Sequence, residues 1–137
     1  MKKRDKFSFL VERNRPMTNG TVTTNDGRTV GYADYGTGDQ TAVLWCHGGP
    51  GCRLEPSFLA DAATRAGIRF VGIDRPGYGR STPQPGRSIG GWVPDALAVA
   101  DHLGIGRFLT LGVLMAFALG TFAVAALMLT VPNSKRF

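Results

Sequence analysis

Apolar and polar positions fall into short blocks whose period switches between that of a strand and that of a helix. Thr21-Val22-Thr23-Thr24 and Arg28-Thr29-Val30-Gly31-Tyr32 flank Asn25-Asp26-Gly27. Asp-Gly between β-branched runs predicts a hairpin, because glycine takes the positive φ that a tight turn needs. Beyond the break Gly36-Thr37-Gly38-Asp39, the run Thr41-Ala42-Val43-Leu44-Trp45-Cys46 is unbroken and apolar. That pattern predicts a strand buried on both faces. Pro56-Ser57 opens a predicted helix from Phe58 to Ala66, which Gly67 closes. Ile68 to Ile73 is a second apolar strand ending at Asp74, and a loop rich in proline and glycine runs from Arg75 to Gly91. Pro94 suits the first turn of a helix from Asp95 to Leu103, where its missing N–H would have no partner. Gly104 and Gly106 end that helix, and Arg107 to Val113 reads as a third core strand.

Strands alternating with helices predict an α/β fold: a hairpin, then a parallel β-α-β-α-β unit in a mostly parallel sheet with right-handed crossovers. At 137 residues, 43% of them hydrophobic and 19% charged, the chain has room for one domain with a modest core. The net charge of +6 is concentrated at the start. Residues 1–16 carry Lys2, Lys3, Arg4, Lys6, Arg13 and Arg15 against Asp5 and Glu12. This reads as a solvated, flexible basic leader, with weak adhesion to anionic lipid as the sharper alternative. Nucleic-acid binding gains nothing from it, since no recognition motif accompanies the charge. The apolar stretch Phe7 to Val11 is too short for an export signal and ends at Glu12-Arg13. Cys46 and Cys52 fit neither a disulfide framework nor a zinc pattern and read as reduced thiols. The expectation is a cytoplasmic or membrane-associated protein, not a secreted one, with no metal or other cofactor.

Three stretches carry chemistry. His47-Gly48-Gly49-Pro50-Gly51 follows one strand, and Asp74-Arg75-Pro76-Gly77-Tyr78-Gly79-Arg80-Ser81 follows the next. Asp95-Ala96-Leu97-Ala98-Val99-Ala100-Asp101-His102-Leu103 precedes a third. In this order and spacing the chain resembles the N-terminal half of the α/β-hydrolase superfamily, in its proline-iminopeptidase-like and esterase-like branches, over about residues 20–113. The resemblance implies ancestral ester or peptide hydrolysis through a serine nucleophile. Acyl transfer needs N–H donors aimed at the oxygen that turns negative in the tetrahedral intermediate. A Gly-Gly-Pro loop lets backbone approach closely, since no Cβ intervenes. The resemblance makes the loop at Gly48 and Gly49 the oxyanion-hole loop, with Gly49 N–H as donor and a cis Gly49-Pro50 bond. His47 reads as ordering its loop through hydrogen bonds rather than as a general base, and Asp74, ending a strand, as an acceptor for loop N–H groups or for Arg75 and Arg80.

The pattern then departs from the family. The third core strand should end in Gly-x-Ser-x-Gly, the elbow that presents the nucleophile. The corresponding run is Gly112-Val113-Leu114-Met115-Ala116, so Leu114 occupies the nucleophile position, and Met115 N–H would be a second oxyanion donor with nothing beside it to attack. No histidine follows His102, and the further strands and acid of the family are not found before Phe137. The expectation is therefore a truncated, catalytically incomplete pseudoenzyme. An ester or peptide substrate would require a second polypeptide to complement it, and the sheet edge beyond the third core strand would favour self-association. Gly86-Arg87-Ser88-Ile89-Gly90 matches the elbow as a string, but Pro83 and Pro85 before it deny it a central strand. His102 lies on a helix as an ordinary surface or half-buried residue.

From Phe108 to Val131 there are 24 residues without a charge. As a helix that is about 36 Å, enough to cross a hydrocarbon core of about 30 Å. Gly112, Ala116 and Gly120 form a small-xxx-small face. One reading is a transmembrane helix anchoring a partner-binding half-domain; the other is a strand to Val113 followed by a buried apolar helix, Leu114 to Leu129. The first is slightly favoured, because the elbow signature vanishes where the apolar run begins. A frameshift, a fusion or true divergence near residue 113 each account for that break. The expected division is 1–16 leader, 17–113 hydrolase-like N-terminal half and 114–137 apolar helical tail.

Overall fold

The structure is a computed structural model in which residues 18–112 and 130–132 are described. The basic leader and most of the apolar tail lie outside those residues. The described chain forms β1 (Thr18–Thr23), β2 (Thr29–Asp34) and β3 (Thr41–Cys46). A 3-10 turn (Glu55–Leu59) then leads into α1 (Ala60–Arg65), followed by β4 (Ile68–Ile73). A second 3-10 turn (Gly90–Trp92) leads into α2 (Val93–His102), followed by β5 (Arg107–Gly112) and β6 (Thr130–Pro132). The six strands make one sheet in the order β1-β2-β4-β3-β5-β6.

Alternate residues of β3 point to opposite faces of the sheet, and both faces are covered. Ala42 and Leu44 join Val30, Tyr32, Val71 and Ile73 under Ala96, Val99 and Ala100 of α2. Val43 and Trp45 join Ala33, Tyr35 and Phe70 under Ala60 and Ala63 of α1. This double burial is why the strand reads as an unbroken apolar run. The first helix differs from expectation at its start: Phe58 and Leu59 belong to the 3-10 turn, and only six residues are α-helical.

The parallel β-α-β-α-β unit is present, with β3 between β4 and β5. The sheet as a whole is mixed rather than mostly parallel. β1–β2, β2–β4 and β5–β6 all pair antiparallel. The hairpin therefore does not stand apart but docks on the free side of β4, through Tyr32↔Ile73 to Asp34↔Val71.

The expected transmembrane helix is overturned. Among the described residues no helix is long and apolar enough to cross a membrane. The uncharged run is broken at both ends by strand: Phe108 of β5 pairs with Val131 of β6. A single helix over 108–131 would need those two residues at opposite ends of a rod. The alternative buried helix, Leu114 to Leu129, lies outside the described residues. The edge of β5 expected to be open is paired over Arg107–Leu109.

Three arginine–aspartate pairs tie the hairpin and loops to the core. Arg69 of β4 donates through Nε (3.0 Å) and Nη2 (2.6 Å) to the two carboxylate oxygens of Asp34 at the end of β2. Arg28 beside the hairpin turn donates through Nη1 (2.9 Å) and Nη2 (2.6 Å) to Asp95 in the first turn of α2. Arg53 donates through Nη1 (2.9 Å) to Asp74 and through Nε (2.9 Å) to the side chain of Asn19 on β1. Forked contacts of this kind fix geometry as well as charge. The Asp95 carboxylate, and then that of Asp26, hold the Arg28 guanidinium above its ordinary pKa.

Candidate functional site

Strand register sets the site. Cys46 at the end of β3 lies level with Ile73 at the end of β4 and with Gly112 at the end of β5. Three parallel strands therefore end at one height, and His47 and Asp74 directly follow two of them. In open α/β sheets this carboxyl-end margin is where ligands bind.

The first loop is held from within by His47, whose side chain is fully buried. Its Nε2 lies 3.0 Å from the Arg75 N–H, which can only donate, so Nε2 accepts. Nδ1 must then carry the proton, donated to the Gly48 carbonyl at 2.7 Å. The ring is thus neutral, and burial lowers its pKa. An imidazole with both nitrogens committed to backbone is not free to act as a general base. Its edge meets the Tyr78 ring, centroids 5.0 Å apart.

The Gly49-Pro50 bond is cis, as the family resemblance implied. Gly48 and Gly49 differ in what their N–H groups do. Gly48 N–H donates to the Glu55 carboxylate at 3.3 Å. Gly49 N–H finds no acceptor among the described residues, and Gly49 is exposed. A Cβ placed there would meet only the Tyr78 hydroxyl, at 3.9 Å. Of the two glycines expected to form the oxyanion-hole loop, one has its donor already engaged and the other faces open space.

The second loop turns inward around Asp74, which is fully buried. Its carboxylate accepts from Arg53 N–H (2.7 Å), Arg53 Nη1 (2.9 Å) and Arg80 N–H (2.8 Å). Gly79 lies against the same carboxylate at φ +51°, so a side chain there would be both strained and overlapping. Ser81 donates to the Asp74 carbonyl (2.8 Å) and accepts from Gly31 N–H (3.0 Å). Its hydroxyl is buried in this network and unavailable as a nucleophile.

Other candidates lie elsewhere or are unreactive. Ser88 sits in an exposed loop, where its hydroxyl accepts from Gly91 N–H (3.0 Å) and caps the turn before α2. His102, at the far end of α2, contacts the Tyr32 hydroxyl at 3.1 Å. Cys46 and Cys52 are free thiols, and burial pushes Cys46 up to about 11. At neutral pH Cys46 is therefore protonated and cannot stand in for a missing nucleophile. Leu114 and Met115 lie outside the described residues.

Glu55, Arg53 and the Asp34–Arg69 pair escaped the sequence reading. One signal was available: a lone arginine inside the apolar strand Ile68 to Ile73 requires a buried partner. Nothing in the order of residues says that the partner is Asp34.

Residues 41–133 match the family described as the alpha/beta hydrolase fold. The chain belongs to the α/β-hydrolase fold family. It is 33% identical over 87 residues to a bifunctional esterase/perhydrolase of Acinetobacter calcoaceticus, covering 63% of this chain and 32% of that one. It is 29% identical over 110 residues to a proline iminopeptidase of Neisseria meningitidis, covering 75% of this chain and 34% of that one. Among solved structures, an epoxide hydrolase from Vigna radiata superposes with a TM-score of 0.59 at 27% identity, covering 70% of this chain and 31% of that one. A hydrolase from Pseudomonas aeruginosa gives 0.63 at 22% identity, over 71% and 37%, a likeness of fold alone. The chain is thus related at low identity to esterase, iminopeptidase and epoxide-hydrolase branches, and spans about a third of the length of the curated relatives it matches.

Proposed function

We propose that this chain is an α/β-hydrolase-type scaffold that presents an oxyanion-binding loop without a nucleophile, and that it does not turn over esters or peptides. The observation that carries the reading is the register of Cys46 with Gly112. It ends β5 level with the strand that leads into the His47–Gly51 loop, and two residues further along the sequence stands Leu114, with no oxygen or sulfur to attack a carbonyl.

In this reading Gly49 N–H is the loop's oxyanion donor and Met115 N–H its counterpart. His47 and Asp74 order the two loops instead of moving protons. The likeness to an esterase/perhydrolase and a proline iminopeptidase supports descent from an acyl-transfer enzyme. Residues 17–113 then form the hydrolase-like half of the chain.

The test is ester hydrolysis by the purified protein, with p-nitrophenyl acetate as substrate and a fluorophosphonate as active-site probe. The expected result is no turnover above the solvent rate and no stoichiometric label on Ser81 or Ser88. Turnover abolished by one substitution in the chain would overturn the reading.

A further inference from the structure

The Glu55 carboxylate lies at the centre of the first loop. One of its oxygens, Oε2, accepts from the Trp45 indole Nε1–H at 2.6 Å and from Gly48 N–H at 3.3 Å. The other, Oε1, would sit 3.0 Å from a Cβ built on Gly51, so the carboxylate fills the space inside the turn. Trp45 is itself fixed between the sheet and Phe58, with its ring edge-on to Phe70 at 5.3 Å. One anionic group thus connects the last turn of β3, the glycine pair and the 3-10 turn that returns toward α1. A charged acceptor makes such bonds about twice as strong as neutral ones.

We propose that Glu55 is the positioning residue of the candidate oxyanion loop: it holds Gly48 N–H inward, so that Gly49 N–H alone of the glycine pair faces outward. The inference rests on reading His47–Gly51 as an oxyanion loop, yet its physical content is a hydrogen-bond arrangement that exists whether or not any ester is cleaved. His47 cannot substitute for Glu55, because both its nitrogens are bonded to Gly48 O and Arg75 N–H. Asp74 cannot either, since it is bonded to Arg53 and Arg80. The remaining charged group near His47 is the Arg75 guanidinium, which carries no acceptor.

The experiment is amide hydrogen exchange and 15N–1H chemical shift of the ligand-free protein, comparing Glu55→Gln, Glu55→Ala and Trp45→Phe. In Glu55→Ala the Gly48 amide and the Trp45 indole proton should both move upfield, and Gly48 should exchange about tenfold faster, as expected for one lost hydrogen bond. Gly49, already without an acceptor, should exchange at its original rate. Glu55→Gln, which keeps an acceptor oxygen, should restore most of the Gly48 protection. Trp45→Phe, which removes the other donor and leaves the carboxylate, should keep Gly48 protected. Overturning results are an unchanged Gly48 in Glu55→Ala, or loss of Gly48 protection in Trp45→Phe with Glu55 intact. Should Glu55→Ala fail to fold, the Glu55→Gln and Trp45→Phe pair decides alone. Ester turnover would sink the proposed function and leave these exchange rates untouched, so the two failures are distinguishable.

Discussion

The loops after β3 and β4 leave neighbouring parallel strands at the same height, and both are built from glycine, proline and a buried polar residue. They use those materials in opposite senses. The Asp74 carboxylate at the start of the loop after β4 draws in a backbone N–H from each loop, Arg53 from the first and Arg80 from the second. The loop after β3 ties down Gly48 but leaves the N–H of exposed Gly49 without an acceptor among the described residues. A buried carboxylate saturated by donors is scaffold. A loop that leaves one N–H exposed would, under the function proposed above, supply the donor for a developing negative charge.

Substitutions can break or sharpen that contrast. Asp74→Ala should have the largest effect, because it strands the Arg53 guanidinium and two backbone donors in a buried site. A loss of about 3–5 kcal/mol of stability is expected, read from urea denaturation. A loss below about 1 kcal/mol, the scale of an exposed pair, would show that the second loop is not organised around its carboxylate. Next comes Gly79→Ala, expected to cost about 1–3 kcal/mol because alanine would be held at positive φ against the Asp74 carboxylate.

The pH dependence is a smaller effect with a definite sign. Burial holds folded His47 below its ordinary value of 6.5, so the unfolded chain binds the proton more readily. The contribution is fully present above pH 6.5 and is lost as pH falls below it toward the folded value. The thermal midpoint should therefore decline on acidification through that window, and His47→Asn should flatten the slope. An equal slope in the variant would place the titrating group elsewhere. Smallest of all is Gly49→Ala, expected to change stability by no more than about 0.5 kcal/mol, since the added methyl meets open space. Set beside Gly79→Ala, it separates a glycine required by the fold from one the fold tolerates replacing. Comparable losses at the two positions would erase the distinction between the loops.

The order hairpin, strand, helix, strand, helix, strand was legible because each step leaves a local mark: Asp26-Gly27 at the turn, two unbroken apolar runs, and Pro94 at a helix start. The two glycine–proline loops were legible for the same reason. These are properties of neighbours along the chain, where steric preference and side-chain period act directly. The 3-10 start of the first helical segment left a weaker mark, since Pro56 suits the first turn of either helix type.

Tertiary structure alone decided what lies beside what. Thr130–Pro132 pairs with β5 through backbone groups rather than side-chain character, so a run of uncharged residues concealed a strand where composition suggested a rod. Docking of β2 on β4, the choice of Asp34 for Arg69 and of Asp95 for Arg28, and the seating of Glu55 under Gly48 join residues distant in the chain or turned back on themselves. Charge says that a buried arginine needs an anion. Only the packed sheet and its register say which one is within reach.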